Sequence, residues 1–326
     1  MNNQLYPLLF QPVYKDYLWG GNRIARCFGR VDTPAVCAES WELADRPEGM
    51  SAVINGPLKG QTLHALIGTF GPALLGKDST DTVFPLLIKL IDARQDLSVQ
   101  VHPDERTAPL TGGEPKTEMW YVLEADPAAL IYAGLKPGIT RKRFEEALGQ
   151  QRLESEALAA IPAKPGRAVF VPGGRVHAIG AGCLLLEVQQ NSNTTYRVYD
   201  WNRVDAQGRS RELHLEQAMR VINWANAQPE VNSPRPLPQT GPNAYAAISQ
   251  CPFFNVVRIA LNAPEPVTHD GSSFHAVFVV SGHVLIGARG TVATAGSGTT
   301  CLIPAAATPY TLTPVGGPAA VIRITR

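Results

Sequence analysis

Apolar residues along the chain repeat mostly with period two, in short runs broken by Gly and Pro, which predicts a mainly β protein. The run from Phe84 to Asp92 is nearly continuous and predicts a buried strand, interrupted by one lysine, Lys89. Residues 97–102 alternate strictly. Leu97, Val99 and Val101 face one way, Ser98, Gln100 and His102 face the other, and Pro103 closes the strand. Further strands are predicted at 118–124, 131–135, 167–171, 176–179, 183–189 and 194–201. Helical spacing is rarer. It predicts short helices over 62–67, over 140–148 with Thr140 as cap, and over 211–222.

A connection rich in proline (Pro229, Pro234, Pro236, Pro238, Pro242) divides the chain. The expected organisation is a catalytic domain over 1–228, the connection over 229–243, and a C-terminal β domain over 244–326. Beyond the connection only strands are predicted. The halves echo each other: Trp120-Tyr-Val-Leu resembles Val277-Phe-Val-Val, and Val169-Phe-Val-Pro resembles Cys301-Leu-Ile-Pro. Two small antiparallel barrels or jelly rolls would explain this and would limit exposed sheet edges. The first half has a histidine five residues after its proline and the second has none, so only the first barrel is expected to hold metal.

Composition narrows the function. Hydrophobic residues make up 44% of the chain, enough for a sizeable core, and the formal net charge is +1 with no basic cluster. Strong electrostatic binding to nucleic acid is not expected on that ground. No apolar run reaches membrane-spanning length. The opening Met1-Asn-Asn-Gln-Leu-Tyr-Pro carries no charged and apolar signal pattern, so a cytoplasmic setting is expected. The five cysteines are scattered and form no CxxC pair, which argues against a thiolate zinc site or a disulfide framework.

Candidate chemistry gathers in the first half. Gln100 and His102 leave the same face of one strand. Glu118 on the next strand and His177 after the Pro172-Gly-Gly turn can join them inside a barrel. Two imidazoles and two oxygens suit zinc, with iron, manganese or cobalt as substitutes. A polar strand face pointing inward without partners is costly, which favours ligation over an idle role. His64, His214, His269, His275 and His283 have no such setting.

The segments Phe84–Ala93, Leu97–Pro103, Lys116–Tyr121 and Pro172–Ile179, together with Tyr17-Leu-Trp-Gly-Gly and Glu39-Ser-Trp-Glu-Leu, resemble type I mannose-6-phosphate isomerases of the cupin superfamily. The resemblance spans roughly residues 5 to 225 and is loose beyond. It implies Gln100, His102, Glu118 and His177 as ligands of one zinc ion. It also implies Lys89, Lys116, Arg197 and Glu187 as active-site groups. With only 58 residues between Glu118 and His177, the chain looks like the short bacterial form.

Isomerising a phosphorylated aldose and ketose through an enediolate needs charge stabilisation on oxygen and a group that shuttles a proton. Lys116 and Glu187 are the shuttle candidates. Arg197 supplies positive charge, while Lys89, Ser40 and Trp19 are expected substrate contacts. The expected partner is a small sugar phosphate, with no nucleic acid or membrane, and the chain is expected to act as a monomer or homodimer. Alternatives are an isomerase or epimerase of another sugar or sugar phosphate, a non-catalytic sugar-binding cupin and, more weakly, a cupin dioxygenase.

Overall fold

In the computed structural model, which describes residues 5–205, 207–225, 230–239 and 241–326, the period-two runs pair into antiparallel sheets. A seven-stranded sheet is centred on Leu86–Ala93 and Cys183–Gln190, which pair from Cys183 opposite Ala93 to Gln190 opposite Leu86. Glu118–Ala125 lies on the far side of one, and Glu39–Leu43 on the far side of the other. The Leu86 strand is therefore internal and every residue of it is buried. This is why its apolar run is continuous rather than alternating.

A five-stranded sheet faces it, in the order Leu158–Pro162, Leu130–Leu135, His177–Ile179, Val99–Val101, Tyr196–Tyr199. Trp120, Val122 and Leu185 from the larger sheet meet Leu97, Ile131 and Ile179 in a common core. Burying each such large side chain stabilises the fold by about 1.5–3 kcal/mol. The outer face of the smaller sheet carries Val99, Val101 and Val198, covered by helices Arg141–Gly149 and Leu215–Val221. The predicted alternation of residues 97–102 thus holds for Val99 and Val101 outward and Gln100 inward, but not for Leu97, which joins the inner core instead of the outer face.

The helix caps follow the sequence. Thr62 accepts from the amide of Ala65 at 3.2 Å, and Thr140 from that of Arg143 at 3.3 Å. The third helix is shorter than predicted and begins only at Leu215. Residues 211–214 instead run beside Tyr196–Tyr199, with the His214 amide donating to the Arg197 carbonyl at 2.8 Å. Helical periodicity there was overridden by this pairing and by the grip of Asp200 on the Arg211 guanidinium.

Residues beyond the connection form most of a ten-stranded sheet dominated by His275–Ala288 and Tyr310–Thr325. Val277, Val279, Ile286, Leu312 and Val321 fill its interior. The internal echo is real in register: Trp120 pairs with Val169 in the first half, and Val277 with Cys301 in the second. The two halves are not separated cleanly by sequence. Leu8–Gln11 from the start of the chain pairs with Thr300–Ile303, and Phe84, Phe274, Phe278 and Ile322 share one core. Phe84 and Phe274 stack with ring centroids 4.6 Å apart. The proline-rich connection contributes short strands to both sides, Glu230–Asn232 against Ala168–Val171 and Arg235–Pro236 against Ala244–Gln250. Its Pro229 lies outside the described residues. All five cysteines are free, and among the described residues no helix is long and apolar enough to cross a membrane.

Candidate active site and metal centre

Inward residues of the two facing sheets build the site. Gln100 lies directly opposite His177 in the smaller sheet. Glu118 does not come from a neighbouring strand, as the sequence suggested, but reaches across from the larger sheet, where it pairs with Val171 and Gln189. His102 continues the Gln100 face just past its strand. One ligand atom each from His102, Glu118 and His177 lies within 4.8 Å of the others. The Glu118 oxygens stand 3.5 Å from His102 Nε2 and 3.3 Å from His177 Nε2. All three residues are about 99% buried, yet both ring nitrogens of His102 and both oxygens of Glu118 have no hydrogen-bond partner. Buried polar atoms left so are costly unless something else binds them.

Protonation states suit a cation. Burial, then the charge of Lys116, pushes His102 down to about 3, and burial lowers His177 as well. Both imidazoles are therefore neutral and have a lone pair to offer. Burial would raise Glu118, but the charge of Lys116 at 3.2 Å outweighs it and holds the carboxyl well below its usual range, so it is ionised. The Nδ1–H of His177 donates to the Arg175 carbonyl at 2.8 Å, which fixes the tautomer and leaves Nε2 as the ligand atom. Gln100 Nε2 lies 3.3 Å from that Nε2, and a half-turn of the amide would put its oxygen in the same place. Two neutral nitrogens, one carboxylate and one amide oxygen fit a divalent ion of the zinc type.

Beside this cluster opens a cavity of about 390 Å³, lined in part by Gln100 and Lys116, which touch His177 and Glu118. Its walls include Trp19, Lys89, Glu187, Arg197 and Arg211. Lys89 lies between two carboxylates, 3.2 Å from Glu187 and 3.4 Å from Glu39. Burial opposes its charge, but Glu187 and then Glu39 raise its pKa above the ordinary lysine value. Glu187 also accepts from Trp120 Nε1 at 2.9 Å. Burial, then the negative charge of Glu118, lifts the Glu187 carboxyl to about 7. A carboxyl poised near neutrality beside a site with positive charge can both take and return a proton.

Comparison with known proteins gives the family. The model of the phosphomannose isomerase type I catalytic domain matches residues 8–129, and that of the mannose-6-phosphate isomerase cupin domain matches residues 245–325. The mannose-6-phosphate isomerase of Streptococcus mutans is 40% identical over 259 residues, covering 77% of this chain and 78% of that protein. The chain belongs to the type I phosphomannose isomerases. The mannose-6-phosphate isomerase ManA of Bacillus subtilis is 43% identical over 66% of this chain and 68% of its own length. A crystal structure of the mannose 6-phosphate isomerase from Bacillus subtilis superposes with a TM-score of 0.88 at 30% identity, covering 99% of this chain and all of that one.

In this phosphomannose isomerase fold, Gln100, Lys89, Lys116, Glu187, Arg197 and Trp19 come together around the cavity, and Gln100 and Lys116 connect it to His177 and Glu118 of the ligand cluster. Ser40 does not join them. It is fully buried on the other face of its strand, accepting from Arg30 at 2.6 Å and donating to Glu42 at 2.6 Å. Its neighbour Glu39 faces the cavity instead, held by Trp41 Nε1 at 2.7 Å. Alternation within Glu39–Leu43 could have signalled this, but all five residues are buried and the polar pattern runs on both faces. Thr195 and Arg197, two residues apart, share the cavity face. A register shift between Arg197 and Tyr199 turns Tyr199 out to the helical layer. Sequence reasoning missed Arg211 because it was assigned to the helix.

Proposed function

We propose that the chain interconverts mannose 6-phosphate and fructose 6-phosphate in the cytoplasm, using one zinc ion held by Gln100, His102, Glu118 and His177. The observation that carries this is the buried His–Glu–His cluster, with His102 and Glu118 lacking hydrogen-bond partners, beside a cavity lined with four cationic side chains and a near-neutral carboxyl. When bound, the ion supplies Lewis acidity towards sugar oxygens.

The chain's own residues do the rest. Glu187 removes the proton from C2 of the aldose; the freed electron pair forms the C1–C2 double bond and the C1 carbonyl pair moves onto O1, giving an enediolate whose O1 takes the proton that O2 gives up. Glu187 then returns the proton to C1 as O2 gives up its proton and becomes the ketone oxygen. Trp120 orients the carboxyl, and Lys89 steadies its ionised form. Arg197, whose Nε has no partner, is placed to offset negative charge on the sugar oxygens. Lys116 stays beside Glu118 and keeps that ligand ionised, which leaves Glu187 as the better proton carrier.

The test is turnover of mannose 6-phosphate, followed as fructose 6-phosphate, in protein with and without chelator. Activity abolished by chelation and restored by zinc supports the reading. Sugar phosphate binding without turnover would instead mark a binding protein.

A further inference from the structure

The cavity contains a guanidinium that the ligand set and the proton carrier leave unused. Arg211 lines the cavity near Tyr17 and Trp19, with its side chain about a third exposed. Its Nε and one terminal nitrogen are both committed to Asp200, at 2.7 and 2.5 Å. Asp200 is shared with Arg203 at 2.5 Å, so one carboxylate faces two guanidinium groups and the cluster keeps a positive charge. Among the described residues the second terminal nitrogen of Arg211 has no hydrogen-bond partner. Arg197 stands close enough that, after burial, Arg211 is the largest influence lowering its pKa. Arg197 forms no ion pair among the described residues and Arg211 keeps one terminal nitrogen free of Asp200, so two guanidinium groups lining one cavity suit a dianion.

Position gives the anion its place on the substrate. Arg203 donates to the Asp96 carbonyl at 2.6 Å and Trp201 to the Leu97 carbonyl at 2.8 Å, which sets the Asp200 cluster beside residues 96–98. Gln100, at the ion, and Ser98 both line the cavity. They are separated by two strand residues, about 6.6 Å. Five carbon–carbon bonds of about 1.5 Å in a staggered chain span about 6 Å. Arg211 lines the same cavity as Gln100 and Ser98, so a hexose with C1 and C2 at the ligand cluster extends along a wall that includes Arg211.

We propose that Arg211, fixed by Asp200, receives the phosphate of the sugar phosphate and makes the enzyme select a sugar phosphorylated on its far carbon. The inference rests on the isomerase reading of the cavity. It is tested with Arg211→Gln and Arg211→Lys by steady-state kinetics on mannose 6-phosphate and by inhibition with inorganic phosphate. The expected result for the glutamine variant is a KM about tenfold higher or more, the loss falling on KM rather than kcat. Its inhibition constant for phosphate should rise in parallel, with metal content unchanged. The lysine variant, which keeps the charge without the fork, should fall between and supplies the comparison if the glutamine variant does not fold. Unchanged KM and unchanged phosphate inhibition in a folded variant overturn the inference, as does a loss confined to kcat. Absence of turnover in the parent protein overturns the isomerase reading instead.

Discussion

Replacing Glu187 with Gln should make the metal-stripped protein more stable at alkaline pH while making the metal-loaded protein a poorer catalyst. Glu187 is 2% exposed on an internal strand, 3.2 Å from Lys89 and hydrogen-bonded to Trp120. Burial and then Glu118 lift its pKa from the ordinary 4.5 to about 7, against the pull of Lys89 and Lys116. A folded-state pKa above the unfolded one means that folding favours the protonated acid. The stability it contributes is complete below about pH 4.5 and is lost as pH rises through about 7. The full loss is worth about 3 kcal/mol. Glutamine imitates the neutral acid and cannot ionise, so it removes the loss. Urea unfolding of parent and variant in chelator, at pH 5 and pH 8, should show the variant gaining up to about 3 kcal/mol on the parent between the two pH values. With zinc restored, its turnover should fall about a hundredfold or more. A stability difference that stays constant with pH, or that moves against the variant as pH rises, would refute the account of Glu187.

Other substitutions separate the roles of the remaining groups. His102→Ala should lose bound zinc by elemental analysis. Arg197→Ala should keep the metal and lose about a hundredfold or more in kcat/KM; normal rates in that variant would remove Arg197 from the site. Phe274→Ala, which empties the ring packed on Phe84 in the core shared by both halves, should cost about 3–5 kcal/mol in denaturant unfolding. A cost near zero would mean that the halves do not stabilise each other through this core.

Much of the fold could be read from local pattern. Burial on both faces left a continuous apolar run at Leu86–Ala93, and burial on one face left strict alternation around Val99–Val101. Both signals arise because strand side chains alternate between faces. The candidate ligands were legible for the same reason: polar side chains on an inward face need a partner. What could not be read depended on contacts distant in sequence. No local pattern says that Glu118 would face the His102 strand from the opposite sheet, or that Leu8–Gln11 would complete the sheet of the other half. Ser40 was misplaced because Glu39–Leu43 is buried on both faces, so polarity could not tell the cavity side from the Arg30 side. Arg211 was missed because helical spacing in 211–222 ignores the pull of Asp200, which holds the first four residues out of the helix.

The central claim is that four side chains share one divalent ion beside the catalytic cavity, and anomalous X-ray scattering at the zinc edge on crystals of the zinc-loaded protein tests it most directly. The account predicts one strong peak with nitrogen or oxygen atoms of Gln100, His102, Glu118 and His177 at about 2.0–2.2 Å. An empty cluster, or a peak held elsewhere in the chain, would contradict it.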